Sequence, residues 1–102
     1  MYDVSLMEGD DQAEWVSLSP HVHEVLVIEG RSRGYETIAR MADYYVDATY
    51  LKGELAVFKH ELSALRESLP SNSILAPILP KLVELVDRAI ALPAATIMGI
   101  AD

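Results

Sequence analysis

The clearest periodic pattern in the chain lies in residues 51–69, which read LKGELAVFKHELSALRESL. Large apolar residues recur there at steps of three and four, the spacing of one face of an α-helix. Pro70 and the Ser71-Asn72-Ser73 cluster that follow do not continue a helix. The pattern therefore predicts a long amphipathic helix. Its apolar stripe comprises Leu51, Leu55, Phe58, Leu62, Leu65 and Leu69.

Downstream of this helix the sequence predicts one more helix and a strand. Apolar residues line one helical face over residues 78–92, and Pro80 fits only near a first turn, so the helix begins close to Pro77. Pro93 ends it. The uncharged segment 95–100 is typical of a buried strand, and we expect it to return to the N-terminal strands.

The first 18 residues have the alternation of a β-hairpin. Tyr2, Val4 and Leu6 share one side of an extended chain, since successive side chains point to opposite faces. Residues 8–13 read EGDDQA, which predicts an acidic turn. Extended character resumes at residues 14–18, so the hairpin covers residues 2–18.

Residues 19–34 leave two interpretations open. Ser19 followed by Pro20 is typical of a helix start, and such a helix would end at about Ile28, before a basic loop at residues 30–34. The β-branched residues within 25–28 instead favour a third strand. The helix is the preferred interpretation.

Apolar spacing in residues 35–49 predicts a further helix. In it, Tyr45 and Val46 would face the core, and Glu36 would pair with Arg40 on the exposed side. Together these elements predict an α+β fold in a single domain, residues 1–102. It comprises an N-terminal β-hairpin, three to four α-helices and a C-terminal strand that completes a small antiparallel sheet.

Composition excludes several classes of protein. The 102 residues include no Cys, so a disulfide scaffold and thiolate metal sites are excluded. The first residues carry acids where a signal peptide needs positive charge. The most apolar stretch, residues 89–101, is too short for the roughly 20 residues that cross a membrane. We therefore expect a cytoplasmic protein.

Metal sites are not predicted, and no cofactor is expected. His21 and His23 would lie about 200° apart around a helix, and a catalytic zinc site usually needs a third protein ligand. Both histidines are expected to be exposed beside the helix start. The acidic turn at residues 8–13 lacks the alternating oxygen ligands that close on a Glu in a calcium loop.

No catalytic motif is present either. The chain contains no phosphate-binding glycine loop, zinc-protease motif or nucleophile elbow. Glu54 and Glu61 fall on the polar side of the 51–69 helix, where solvated charge is ordinary. His60 has no carboxylate three or four residues away. The sequence therefore predicts a protein that is not an enzyme, and a small enzyme or ligand-binding domain is the third interpretation.

Acidic charge is concentrated at the start of the chain. The net charge of the whole chain is −8, and residues 1–29 hold seven acids with no Lys or Arg. Negative potential of this size repels phosphate backbones and anionic lipids, so neither nucleic acid nor a membrane is expected as a partner. A basic protein is favoured. The plainer interpretation is that the charge only keeps the protein soluble.

Carboxylates beside tyrosines suggest where such a partner would bind. On the predicted 35–49 helix, Asp43, Tyr44 and Asp47 would point outward, with Tyr50 following on the same side just beyond its end. Tyrosine supplies rigid contact area and carboxylates supply charge-assisted hydrogen bonds to Arg or Lys. Alternatively, Tyr44 and Tyr50 pack under a loop and Asp47 caps the next helix. The predicted partner-binding residues are Asp43, Tyr44, Asp47, Tyr50, Glu8, Asp10, Asp11 and Glu14.

In layout and composition the chain resembles the small immunity proteins of bacterial polymorphic toxin and contact-dependent inhibition systems. The resemblance rests on the acidic hairpin, the helical middle at residues 51–65, a further helix and the closing Gly99-Ile100-Ala101-Asp102. Locally, Asp43-Tyr44-Tyr45 is similar to the acidic, paired-tyrosine helix of nuclease-colicin immunity proteins, although Val46-Asp47 stands here in place of a proline. The resemblance implies a cytoplasmic, non-enzymatic inhibitor that binds a cognate toxin domain, often a basic nuclease.

The second interpretation is a homo-oligomerising or adaptor protein. In that case the Leu51 to Leu69 stripe pairs with a partner helix, and the protein is a homodimer.

Overall fold

A computed structural model describes residues 1–101 of the chain. Its strands are β1 (Tyr2–Glu8), β2 (Asp11–Leu18), β3 (Ala48–Tyr50) and β4 (Ala95–Ile100), which form one antiparallel sheet in the order β2-β1-β4-β3. Its helices are α1 (Pro20–Ser32), α2 (Glu36–Ala39), α3 (Leu55–Ser68) and α4 (Leu79–Ala91), with one 3-10 turn at Lys52–Glu54. The predicted α+β fold, with its N-terminal hairpin and C-terminal strand, is confirmed.

The hairpin and the closing strand lie where the sequence places them. Gly9, with a φ of 63°, forms the turn between β1 and β2, which is shorter than predicted. Tyr2, Val4 and Leu6 are buried on the face that the helices cover, whereas Trp15 on the opposite face is 53% exposed. The sheet therefore packs on one face only. None of the helices within residues 1–101 combines the length and the apolar content needed to cross a membrane.

The 51–69 stripe fills the core of the monomer. The ring of Phe58 stacks on the ring of Tyr50, with centroids 4.5 Å apart and planes 6° from parallel. Leu51 precedes the helix and is exposed, and Leu69 is half-buried. The remaining stripe residues are fully buried, so they are not available to a partner helix. These are Leu55, Phe58, Leu62 and Leu65.

Residues 20–32 are helical, and the helix is longer than predicted. The Ser19 hydroxyl accepts a hydrogen bond from Val22 N at 3.3 Å, as expected of an N-cap. The predicted basic loop at 30–34 is wrong at its start, because α1 continues through Arg31 to Ser32. Gly30 does not end the helix. A Cβ there would meet Cγ2 of Ile38 at 2.5 Å, so glycine allows α2 to pack against α1.

The predicted 35–49 helix is wrong. Only α2 is helical, and residues 40–47 form a loop that leads into β3. Within the loop, Asp43 Oδ1 accepts a hydrogen bond from Tyr45 N at 2.9 Å, an alternative to the helical ladder. The edge of β4 also captures the next residues, with Ala48 paired to Gly99. Tertiary pairing and local turn chemistry therefore override the apolar spacing.

A buried carboxylate holds the start of α2. Oε1 of Glu61, on α3, accepts hydrogen bonds from Thr37 N at 3.1 Å, Thr37 Oγ1 at 2.5 Å and Ile38 N at 3.2 Å. These N–H groups belong to the first turn of α2, whose N-cap residue Tyr35 makes no side-chain cap hydrogen bond. The prediction of a solvated Glu61 is therefore wrong, since its carboxylate serves as the cap.

A lysine joins the end of α4 to the start of β4. Lys52 Nζ donates to the carbonyl oxygens of Ala89 at 2.5 Å, Leu92 at 2.5 Å and Ala95 at 2.9 Å. The C-terminal carbonyls of a helix lack intrahelical donors and carry partial negative charge, which favours a cation. Lys52 therefore fixes how the chain leaves α4 and enters the sheet.

We predict that Glu61→Ala lowers the free energy of unfolding by about 3 kcal/mol, because buried donors of α2 lose their charged acceptor. Glu61→Gln keeps an acceptor oxygen and should cost less. Urea unfolding followed by circular dichroism measures both. The control is Glu67→Ala on the exposed side of α3, for which we expect a change below about 0.5 kcal/mol. Equal losses for Glu61→Ala and Glu67→Ala would contradict the capping role.

Candidate interaction surface

Apart from Tyr50, which pairs with Ile97 inside the sheet, the predicted partner-binding residues lie toward opposite ends of the sheet. Glu8 pairs with Asp11 at the hairpin turn and stands opposite Ala95, where β4 begins. Asp47 Oδ1 accepts a hydrogen bond from Ala101 N at 2.7 Å, just beyond the end of β4. The length of β1, about 20 Å at its strand rise, separates the two groups. They therefore form two surfaces rather than one.

At the hairpin end the acids differ in their surroundings. Glu8, Asp10 and Asp11 are exposed around the turn. Glu14 instead forms an ion pair with Arg88 of α4 at 2.8 Å. The carboxylate of Glu14 therefore already has a cation beside it.

At the other end, the exposure of two tyrosines is the reverse of the prediction. Tyr50 was predicted to face a partner, but it is only 1% exposed and its hydroxyl donates to Thr37 O at 2.5 Å, because β3 turns it into the core. Tyr45 and Val46 were predicted to be buried, and they are 79% and 56% exposed. Tyr44 is half-buried. We call residues 43–47 the loop surface.

The loop surface is held at both ends. Arg40, which precedes it, donates from Nη1 and Nη2 to the two carboxylate oxygens of Glu54 at 2.8 and 2.5 Å, and from Nη1 to Thr49 O at 3.1 Å. The predicted Glu36–Arg40 pair is therefore replaced by a bidentate pair with Glu54. At the far end, the hydrogen bond of Asp47 to Ala101 attaches the loop to the sheet.

A row of aromatic rings supports the loop surface from inside. The ring of His23 lies between Tyr2, at a centroid distance of 4.7 Å, and Tyr44, at 5.1 Å. Tyr45 meets Tyr44 edge-on at 5.4 Å and 83°. His23 is buried and its Nε2 donates to Met41 O at 2.6 Å, so its predicted exposure is wrong, whereas His21 is exposed as expected. The exposed ring of Tyr45 thus packs against Tyr44, which contacts the buried ring of His23.

Beside the loop surface lies an open groove of about 370 Å³, between α1 and the loop. Glu24, Ile28 and Arg31 line its α1 wall, and Tyr44 and Tyr45 line the other. Ile28 is 55% exposed. Among residues 1–101, Glu24 and Arg31 have no ion pair or side-chain hydrogen bond. We call this feature the α1 groove; its walls offer charge, apolar surface and aromatic rings.

The sequence did not predict the α1 groove. Glu24, Ile28 and Arg31 are spaced as i, i+4 and i+7, which would have marked a helical stripe had α1 not been ended at Ile28. The opposite wall of the groove is formed by the loop at residues 40–47, where the sequence predicted a helix, so this wall was not expected. The available signal in the sequence was the position of Ile28 between the charged residues Glu24 and Arg31 on that stripe.

Within residues 1–101, no histidine is joined to a carboxylate by a hydrogen bond. His23 and Glu24 both line the α1 groove, but no hydrogen bond joins them within the described chain, and Nε2 of His23 is engaged by Met41. His60 is exposed on α3. Within residues 1–101 there is no group of three or more His, Asp or Glu side chains placed to hold a metal ion.

Two buried tyrosine hydroxyls differ in their hydrogen bonding. Among the described residues, Tyr2 Oη has no hydrogen-bond partner, whereas Tyr50 Oη donates to Thr37 O. Burial, with the nearby carboxylates of Asp47 and Asp43, raises the pKa of Tyr2 to about 12. The same Tyr→Phe substitution should therefore have different effects at the two sites.

We predict that Tyr2→Phe leaves the free energy of unfolding unchanged or raises it by up to about 1 kcal/mol, because no hydrogen bond is lost and a buried hydroxyl is removed. Tyr50→Phe should lower it by about 1–2 kcal/mol, because Thr37 O loses its donor. Urea unfolding of the two variants provides the comparison, each serving as the control for the other. A larger loss for Tyr2→Phe than for Tyr50→Phe would be inconsistent with this assignment.

We also predict a pH-dependent contribution from the pair that anchors the loop. The bidentate hydrogen bonds from Arg40, with that from Leu51 N, lower the pKa of Glu54 from 4.5 to about 2. A lowered pKa means that the pair stabilises the fold above about pH 4.5 and that this contribution is lost as the pH falls toward 2. The difference in melting temperature between wild type and Glu54→Gln should therefore shrink over that range. A difference that stays constant from pH 6 to pH 2.5 would oppose this.

Comparison of the chain with protein-family models, curated proteins and solved structures finds no match. The chemistry of the loop surface and the α1 groove is therefore what indicates a function.

Proposed function

We propose that this chain is an immunity-type protein that binds a basic toxin domain of bacterial origin and neutralises it without catalysing a reaction. The loop surface and the α1 groove would be its binding site, and the cytoplasm its place of action. The toxin domain is of the basic kind represented by nucleases. The observation that carries the proposal is how Tyr45 is held. Its side chain is 79% exposed, yet its ring packs against Tyr44, which in turn contacts buried His23.

Preorganisation makes such a tyrosine suited to binding. Aromatic side chains that are already ordered lose little conformational freedom in a complex, and they are frequent among residues that dominate binding energy. Hydrogen bonds of Asp43 and Asp47 to the backbone hold the loop that presents Tyr45. A free tyrosine on a loose loop would have to be ordered on binding.

Charge favours a basic partner. Asp43 and Asp47 flank the exposed ring, Glu24 lies in the adjacent groove, and the whole chain has a net charge of −8. Complementary charge accelerates encounter and disfavours acidic competitors. The acids at the hairpin turn would contribute to this long-range attraction without touching a partner bound at the loop surface.

The oligomer or adaptor interpretation receives less support. It required the 51–69 stripe to be available, and Leu55, Phe58, Leu62 and Leu65 are buried inside the monomer.

The test is co-expression with a candidate toxin, namely the basic C-terminal domain of a large secreted protein encoded by the adjacent reading frame. We predict that the wild-type chain restores growth and that Tyr45→Ala weakens binding by about 30-fold, the scale of a residue that dominates an interface. The dissociation constant should also rise with salt concentration. Calorimetry on the purified proteins measures both effects.

The matched control is Val57→Ala, which removes an exposed apolar side chain from α3, outside the α1 groove. Its affinity should equal that of wild type. Failure of the wild-type chain to bind or protect would overturn the proposed function. Equal binding by wild type and Tyr45→Ala would overturn the proposed surface.

A further inference from the structure

The α1 groove has opposite charges at its two ends. Glu24 and Arg31 lie on one stripe of α1 with Ile28 between them, and seven residues of helix separate them by about 10 Å. Tyr44 lies near the Glu24 end, because its ring contacts the ring of His23, the neighbour of Glu24, and Tyr45 in turn contacts Tyr44. The groove is therefore acidic and aromatic at one end, apolar in the middle and basic at the other.

Within the described residues, neither of these two charges takes part in an ion pair. Glu29 and Arg33, on the same helix, pair with each other. By contrast, Glu24 and Arg31 have no charged partner among residues 1–101. Their separation is too great for a direct pair, so both remain available to a bound segment.

Elsewhere in the chain, an arginine side chain contacts a tyrosine ring and a carboxylate at the same time. Cζ of Arg40 lies 4.9 Å from the centroid of the Tyr50 ring, and its two terminal nitrogens donate to Glu54. A planar guanidinium can stack on a ring and bind a carboxylate with two hydrogen bonds at once, which an ammonium cannot. The acidic end of the α1 groove has a ring and a carboxylate but no arginine.

We propose that the α1 groove receives a segment of the partner protein that places an arginine at Glu24 and the tyrosines, an apolar side chain on Ile28 and an acidic side chain at Arg31. This rests on the proposed function and specifies the chemistry of the partner. The two ends also fix the direction of the bound segment, since the reverse orientation would oppose like charges. The arginine and the acid lie about 10 Å apart, a span of three residues in an extended segment.

The experiment is selection from a phage-displayed random peptide library on the immobilised full-length protein. We expect the selected peptides to contain an arginine and, about three residues away, an acidic residue. The best peptide should lose about tenfold in affinity when its arginine is replaced by citrulline, which keeps the shape and removes the charge. Calorimetry with the synthetic peptides measures this.

Charge reversal supplies the matched pair of variants. Glu24→Lys should weaken binding of the selected peptide by about tenfold or more, while Glu84→Lys, which changes the net charge equally on the exposed side of α4, should leave it unchanged. A melting curve checks that both variants are folded. A selection that yields no binder, peptides without arginine, or equal binding by wild type and Glu24→Lys would each overturn the proposal.

Three further outcomes separate this inference from the alternatives. If sedimentation shows a dimer that Tyr45→Ala dissociates, the groove binds a second copy of the chain and the inference is wrong. If the toxin is neutralised but Glu24→Lys protects as well as wild type, the proposed function stands and the arginine assignment fails. If no toxin is neutralised while the peptide results hold, the groove binds arginine segments and the immunity function fails.

Discussion

The carboxylate of Glu61 is the contact on which the middle of the fold depends. It caps the first turn of α2 from the neighbouring helix, through three donors of Thr37 and Ile38. The fixed turn then serves two other elements: Ile38 packs against Gly30 of α1, and Thr37 O accepts the hydroxyl of Tyr50 in β3. One buried acid therefore positions a helix, an edge strand and the loop between them. A four-residue helix has too few internal hydrogen bonds to hold that position alone.

The loop surface is a consequence of this arrangement. Residues 40–47 connect two fixed points, α2 and β3, and the Arg40–Glu54 pair and the Asp47–Ala101 hydrogen bond shorten the freely moving part still further. The exposed tyrosine is therefore presented by a tethered segment, although it lies outside regular secondary structure. Binding sites on loops commonly combine these properties, with a rigid scaffold and an accessible tip.

The parts of the fold that sequence reasoning recovered are those decided locally. Alternation in β1, the helical stripe of α3 and the proline-bounded α4 are each set by residues within one element. Residues 35–49 also had helical spacing, yet the decisive contacts came from Glu61 and from the free edge of β4, both distant in sequence. Glu61 itself had nothing in its position to distinguish it from a solvated acid. The candidate site was anticipated only in part: the sequence proposed Asp43, Tyr44 and Asp47 for it, but it exchanged Tyr45 with Tyr50 and did not indicate the α1 groove.

The order of strands has a consequence for how the protein is made. Among the strands of residues 1–101, β4 comes last in sequence but occupies a central place, paired with β1 on one side and β3 on the other. During synthesis, the hairpin, α1 and α3 leave the ribosome before β3 has anything to pair with. The hydrogen bond that attaches Asp47 to the sheet therefore forms only after Ala101 has been synthesised, and a nascent chain that has not yet reached β4 lacks this attachment of the loop.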